Sequence, residues 1–125
     1  PNRIEAEILS GISIYSKDDM KRAGDYFLNK GVKKVFISLG SDGVFYMTEN
    51  EAETIKIPRI NPASSTGAGD AFVAGIAYGE YYDHDIRTAT KFGLGAAILT
   101  SLSDKTVSDQ MNIKNVENII KEMEI

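Results

Sequence analysis

Asn61-Pro62-Ala63-Ser64-Ser65-Thr66-Gly67-Ala68-Gly69-Asp70-Ala71-Phe72-Val73-Ala74-Gly75-Ile76-Ala77-Tyr78-Gly79 is the stretch on which the reading of the whole chain turns. A polar, proline-bearing approach passes through Thr66-Gly67-Ala68-Gly69 and continues as an apolar run spaced like a helix, with Asp70 in its first turn. Consecutive small residues let backbone N–H groups converge on an anion without side-chain obstruction, and the positive end of the helix dipole adds to the attraction. A carboxylate placed there can take the proton of a substrate hydroxyl held beside a bound phosphate, which is the arrangement of a phosphoryl-transfer centre. The plainer alternative makes Asp70 a first-turn helix acid and the glycines a tight turn; a G-x-G-D taken alone does not separate the two.

Composition narrows the classes. With 125 residues, 42% hydrophobic and 26% charged, the chain has enough material for one compact domain over residues 1–125 with a real core, and is not a disordered tail. A net charge of -4 and a pI near 5.0 offer no basic face to nucleic acid or to a membrane surface. No apolar run reaches membrane-spanning length and no signal peptide is visible. The absence of cysteine removes disulfide scaffolds and thiolate metal sites and fits a cytoplasmic protein. A start at Pro1-Asn2-Arg3, without an initiator Met or a leading strand, together with an amphipathic helix at the close, is expected of the back portion of a longer protein.

Taken in order, Ile4, Ile8 and Leu9 have helical spacing, with Asn2 as a cap and Glu5 three residues on, a capping-box pattern. Asp18 to Lys30 reads as a covering helix, capped by Ser16, with Met20, Ala23, Phe27 and Leu28 on one face and Gly31 as its stop. Val32 to Leu39 reads as a buried strand of a parallel sheet, followed by the turn Gly40-Ser41-Asp42-Gly43 and a second strand, Val44 to Met47. That order points to a βαβ-type architecture with ligands at the carboxyl ends of the strands, although G-S-D-G by itself is also a plain hairpin turn. Thr54 to Ile60, interrupted by Pro58, is expected as a short edge strand. His84 stands alone at a helix start, which favours a capping or surface role over metal binding. Ile86 to Leu102 is a helix whose Gly93-Leu94-Gly95 would be costly if exposed, so something must approach it closely, and tight packing of helix on sheet is the plain explanation. Ser103 to Met111 is a polar loop, and Asn112 to Met123 a final amphipathic helix.

Ser64-Ser65-x-Gly67-Ala68-Gly69-Asp70-x-x-x-Ala74-Gly75-Ile76-Ala77 resembles the C-terminal motif of the ribokinase-like (PfkB) carbohydrate kinases position for position. Two further stretches resemble that family in the same order: Asn2-x-x-Glu5 its N-x-x-E, and Ser38-x-Gly40-x-x-Gly43 its T-x-G-x-x-G with Ser for Thr. The resemblance implies an α/β, Rossmann-like three-layer sandwich of the ribokinase type, represented by its C-terminal part, without the lid and the N-terminal portion. It implies an ATP-dependent kinase acting on a hydroxymethyl group of a sugar or nucleoside. In that role Asp70 would be the base, and the amides of Gly67, Ala68 and Gly69 the anion hole. Ser38, Gly40, Ser41, Asp42 and Gly43 would hold the ATP phosphates, Gly93 and Ala97 would lie along the wall of the adenine site, and Asn2 with Glu5 would place Mg2+ through water. The same resemblance leaves room for a homodimer of the full-length protein.

Two departures from the family pattern matter. Many members have Asp where this chain has Ser64, beside a monovalent-cation site, so potassium activation does not carry over. The sugar-binding portion and the lid lie ahead of these motifs, so the acceptor is not written in these residues; only Ala96 to Ser108 resembles the corresponding tail of pseudouridine kinases. On its own, such a chain could equally serve as a nucleotide-binding module without turnover. A dinucleotide-binding oxidoreductase is disfavoured, since no G-x-G-x-x-G follows a strand near the start of a βαβ unit.

Overall fold

Val35, Ile37, Phe45 and Met47 set up the first core, because β-branched and aromatic residues in two short adjacent runs favour paired strands. Strand β1 (Val35–Ser38) pairs antiparallel with β2 (Val44–Met47), which places Val35 opposite Met47 and Ile37 opposite Phe45, so that all four side chains share one face. A computed structural model of the chain describes residues 1–58, 67–102 and 112–125, which fall into two compact units, Pro1–Lys56 and Ile57–Ile125.

In the first unit, α1 (Arg3–Ser10) and α2 (Lys17–Asn29) cover that face, with Ala6 and Ala23 fully buried against it. Helix α2 is capped by Ser16, which accepts from the Asp19 N–H, and the chain leaves it at Gly31 with φ 98°, as its sequence implies. The strand over Val32 to Leu39 is shorter than expected, and its pairing is antiparallel. Its one parallel contact among the described residues is an isolated bridge between Asn2 and Ser38, where the Ser38 N–H donates to the Pro1 carbonyl at 2.9 Å. A buried apolar run suits either pairing sense, but the few residues from Leu39 to Gly43 can join only antiparallel neighbours, since a parallel crossover takes a dozen or more.

The edge strand also lies earlier than expected. It is β3 (Ala52–Ile55), paired antiparallel to β2 at the end of the order β1-β2-β3, and not Thr54 to Ile60. The shift follows from the turn: Thr48 Oγ1 accepts from the N–H groups of Asn50 and Glu51, the chain reverses at once, and Ala52 falls opposite Met47. Arg59 and Ile60 lie outside the described residues. Fully buried Tyr46 donates its hydroxyl to cross-strand Glu53 at 3.0 Å, which satisfies its polar end.

The second unit is helical, with α4 (Ile86–Ser101) packed against both α3 (Ala68–Tyr81) and α5 (Ile113–Glu122). Asp85 caps α4 by accepting from the Thr88 N–H at 2.8 Å, and Asn112 caps α5 by accepting from the Asn115 N–H at 2.9 Å. His84 does not cap; its ring stands edge-on to Phe92 with centroids 5.2 Å apart. The close approach required by the glycines of α4 is helix on helix, not helix on sheet. A Cβ at Gly93 would lie 2.9 Å from the Phe72 carbonyl oxygen of α3, and one at Gly95 would lie 2.9 Å from Ile120 of α5.

Candidate active site

Gly67 opens α3 in the left-handed conformation, φ 83° and ψ −5°, and offers no side-chain cap. The first intrahelical bond runs from the Ala71 N–H to the Gly67 carbonyl at 3.0 Å, so the N–H groups of Ala68, Gly69 and Asp70 precede the helical ladder. None of these amides is engaged in sheet pairing among the described residues. Gly69 and Asp70 are exposed, and Gly67 and Ala68 half-buried. Asp70, an exposed residue, thus follows main-chain donors that take no sheet or intrahelical partner among the described residues, an arrangement that can hold an anion and accept a proton next to it. Ser64, Ser65 and Thr66, which complete the motif, lie outside the described residues, as does the Ser103 to Met111 loop with the end of the tail resembling pseudouridine kinases.

The first unit brings the other two motifs together. Asn2 accepts the Glu5 N–H through Oδ1 at 2.8 Å, and Glu5 Oε1 accepts the Asn2 N–H at 2.9 Å, a reciprocal capping box that starts α1. Through the bridge to Ser38, this helix start lies beside the carboxyl end of β1, from which the turn Gly40–Asp42 departs. Spacing along the chain gives no hint that Pro1, Asn2 and Ser38 meet. The turn is one of 3-10 geometry, closed by the Asp42 N–H to the Leu39 carbonyl and the Leu39 N–H to the Gly43 carbonyl. Gly40, Ser41 and Asp42 are exposed, and the N–H groups of Gly40 and Ser41 take no main-chain partner among the described residues. Gly43 is buried at φ 101°, ψ −139°, and a Cβ there would run into the Ile55 carbonyl of β3, so only glycine closes this turn. The plain hairpin reading thus describes the backbone of this turn.

The capping box uses Glu5 Oε1 and leaves Oε2 without a hydrogen bond among the described residues. An exposed carboxylate oxygen is a hard donor suited to Mg2+ or to its water shell, so the pair fits the ion assigned to it. On α4, Gly93 is buried with its open side filled by Phe72 and Ile76, whereas Ala97 is half-buried. Tyr78 meets the Phe92 ring edge-on at 5.3 Å, which makes this aromatic group a packing cluster.

The pfkB family carbohydrate kinase model matches residues 1–112. A ribokinase from Staphylococcus aureus is 37% identical over 101 residues, covering 80% of this chain and 33% of its own length. A pseudouridine kinase from Escherichia coli is 30% identical over 125 residues, covering 99% of this chain and 40% of its own. The structure of an Arabidopsis thaliana ribokinase complexed with ribose and ATP superposes with a TM-score of 0.87 at 26% identity, covering 97% of this chain and 39% of that one. The chain therefore spans about a third to two fifths of the length of these relatives, and its fold is that of the ribokinase-type kinases over this part. With three motifs in family order and a family match over most of its length, the chain belongs to the pfkB family of carbohydrate kinases.

Proposed function

We propose that the chain is the nucleotide-binding and catalytic part of an ATP-dependent kinase that phosphorylates a hydroxymethyl group of a sugar or nucleoside. The observation that carries this reading is the start of α3, where amides without sheet or intrahelical partners among the described residues lie next to the exposed residue Asp70. Asp70 takes the proton of the acceptor hydroxyl, and the N–H groups of Gly67, Ala68 and Gly69 hold the oxygens of the transferred phosphoryl group as negative charge develops on them. The outward amides of Gly40 and Ser41, with Ser38, Asp42 and the closure at Gly43, bind ATP phosphates. Asn2 and Glu5 hold Mg2+ through water, and the ion, when bound, neutralises phosphate charge. Ala97 contributes its half-buried surface to the adenine site, and Gly93 serves that wall through the packing of α4.

Ribose and pseudouridine are the acceptors named by the relatives, and both carry the required primary hydroxyl. A cytoplasmic location and a homodimer of the full-length protein belong to the same proposal. These 125 residues alone bind nucleotide without turning it over, because the relatives are two to three times longer. In the full-length protein, Asp70→Asn lowers kcat by roughly 100- to 10,000-fold with ATP binding near normal, measured by coupled ADP release against pseudouridine, ribose, fructose and adenosine. Undiminished turnover in that variant would remove Asp70 as the base and the assignment with it.

A further inference from the structure

We infer that Gly75 and Gly93 are positioning residues for this transfer: main-chain contact between α3 and α4 fixes where the first turn of α3, with Asp70, stands. The inference rests on the role proposed above for Asp70, but its geometry is independent. A Cβ at residue 75 would meet the Phe92 carbonyl oxygen and lie 2.6 Å from Gly93 Cα, and one at residue 93 would lie 2.9 Å from the Phe72 carbonyl oxygen. One turn further along α3, a Cβ at Gly79 would lie 2.6 Å from Ala89 Cα. The contacts run antiparallel, Phe72 to Gly93, Gly75 to Phe92 and Gly79 to Ala89, and at each level the obstructing group includes backbone, which cannot turn aside as a side chain can. They therefore fix both the rotation of α3 and its height along α4.

The rotation is what matters to the chemistry. At about 100° per residue, Asp70 lies about 140° to 180° around the axis from Phe72, Gly75 and Gly79. The stripe pinned to α4 thus aims Asp70 at the opposite side, where it is exposed together with Val73, 64% accessible. Gly75 is about 7.5 Å along the axis from Asp70, so forcing the helices apart there carries the first turn with it. The sequence signal was available as small residues four apart on two successive helices, Gly75 and Gly79 with Ala89 and Gly93.

Gly95 supplies the control, because a Cβ there meets Ile120 and Val116 of α5 and leaves α3 untouched. In the full-length protein, Gly75→Ala and Gly93→Ala should each lower kcat, by about 100-fold for a displacement near 1 Å, and Gly75→Ala should keep KM for ATP within threefold of wild type. Gly95→Ala should change thermal stability but leave kcat within twofold. Should Gly75→Ala fail to fold, Gly93→Ala alone decides. Wild-type kcat in the variants that fold would overturn the inference, and so would an equal loss in Gly95→Ala. A wild-type kcat in Gly93→Ala with only KM for ATP raised would also overturn it, as the effect would then lie in nucleotide binding alone. If the unaltered protein shows no phosphoryl transfer, the proposed function fails instead, and the inference is judged by the Gly69 amide resonance in 15N-glycine-labelled protein. That resonance should shift in Gly93→Ala and not in Gly95→Ala; similar shifts in both would refute the positioning role.

Discussion

Asp85 shows at single-residue scale how one carboxylate can serve stability apart from the chemistry. Hydrogen bonds from Thr88, its hydroxyl first and its N–H second, hold the Asp85 carboxyl below the ordinary carboxylate value of 3.8, with smaller contributions from the charges of His84 and Arg87. A carboxyl depressed in the folded state stabilises the fold above its unfolded value, and that stabilisation is lost as pH falls through the depressed one. Asp85→Ala should therefore cost about 1 kcal/mol near neutral pH through the lost cap, and the difference from wild type should shrink below pH 3.8. Asp85→Asn keeps a capping oxygen and should show little of this pH dependence; urea midpoints of the three proteins between pH 7 and pH 2.5 measure it. Asp70 contrasts with Asp85, because it occupies a first turn whose Gly67 cap brings no side chain.

At the scale of elements, α1 carries two roles on the same pair of residues. The capping box uses Asn2 Oδ1 and one oxygen of Glu5, while the proposed Mg2+ role needs the charge on the other Glu5 oxygen. Glu5→Gln separates them, since Gln completes a capping box as Glu does. The variant should unfold at nearly the wild-type temperature, yet need several-fold more Mg2+ for half-maximal activity. Equal Mg2+ requirements would leave Glu5 as a cap only. The apolar stripe of α1 is a different case. Ile4, Ile8 and Leu9 are 61%, 75% and 59% exposed, and the residue of this helix that enters the core is Ala6. Helical spacing specifies a face but not what covers it, whereas in α2 the expected face, with Met20, Ala23 and Phe27, does pack on the strands.

At the scale of the whole chain, net charge makes a testable statement about polyanions. With a net charge of -4, the protein should pass through a heparin column unretained at about 0.1 M salt, where the Debye length is about 10 Å. Retention would reveal a local basic face that the overall charge conceals. No helix among the described residues is long and apolar enough to cross a membrane.

Much of the fold is local and was legible for that reason. The caps Asn2 and Ser16, the stop at Gly31, the turn at Gly40 to Gly43 and the helix opening at Gly67 each depend on chemistry within three or four residues, which sequence records directly. The order of the three motifs was equally plain and sufficed for the family. Tertiary structure alone decided that β1 pairs antiparallel, that the edge strand begins at Ala52, and that Pro1 meets Ser38 across the sheet edge. It alone decided as well that neighbouring helices make the close approach at Gly93 and Gly95 of α4. Those outcomes depend on which surfaces meet across long separations in the chain, and the composition of a single segment does not encode its partner.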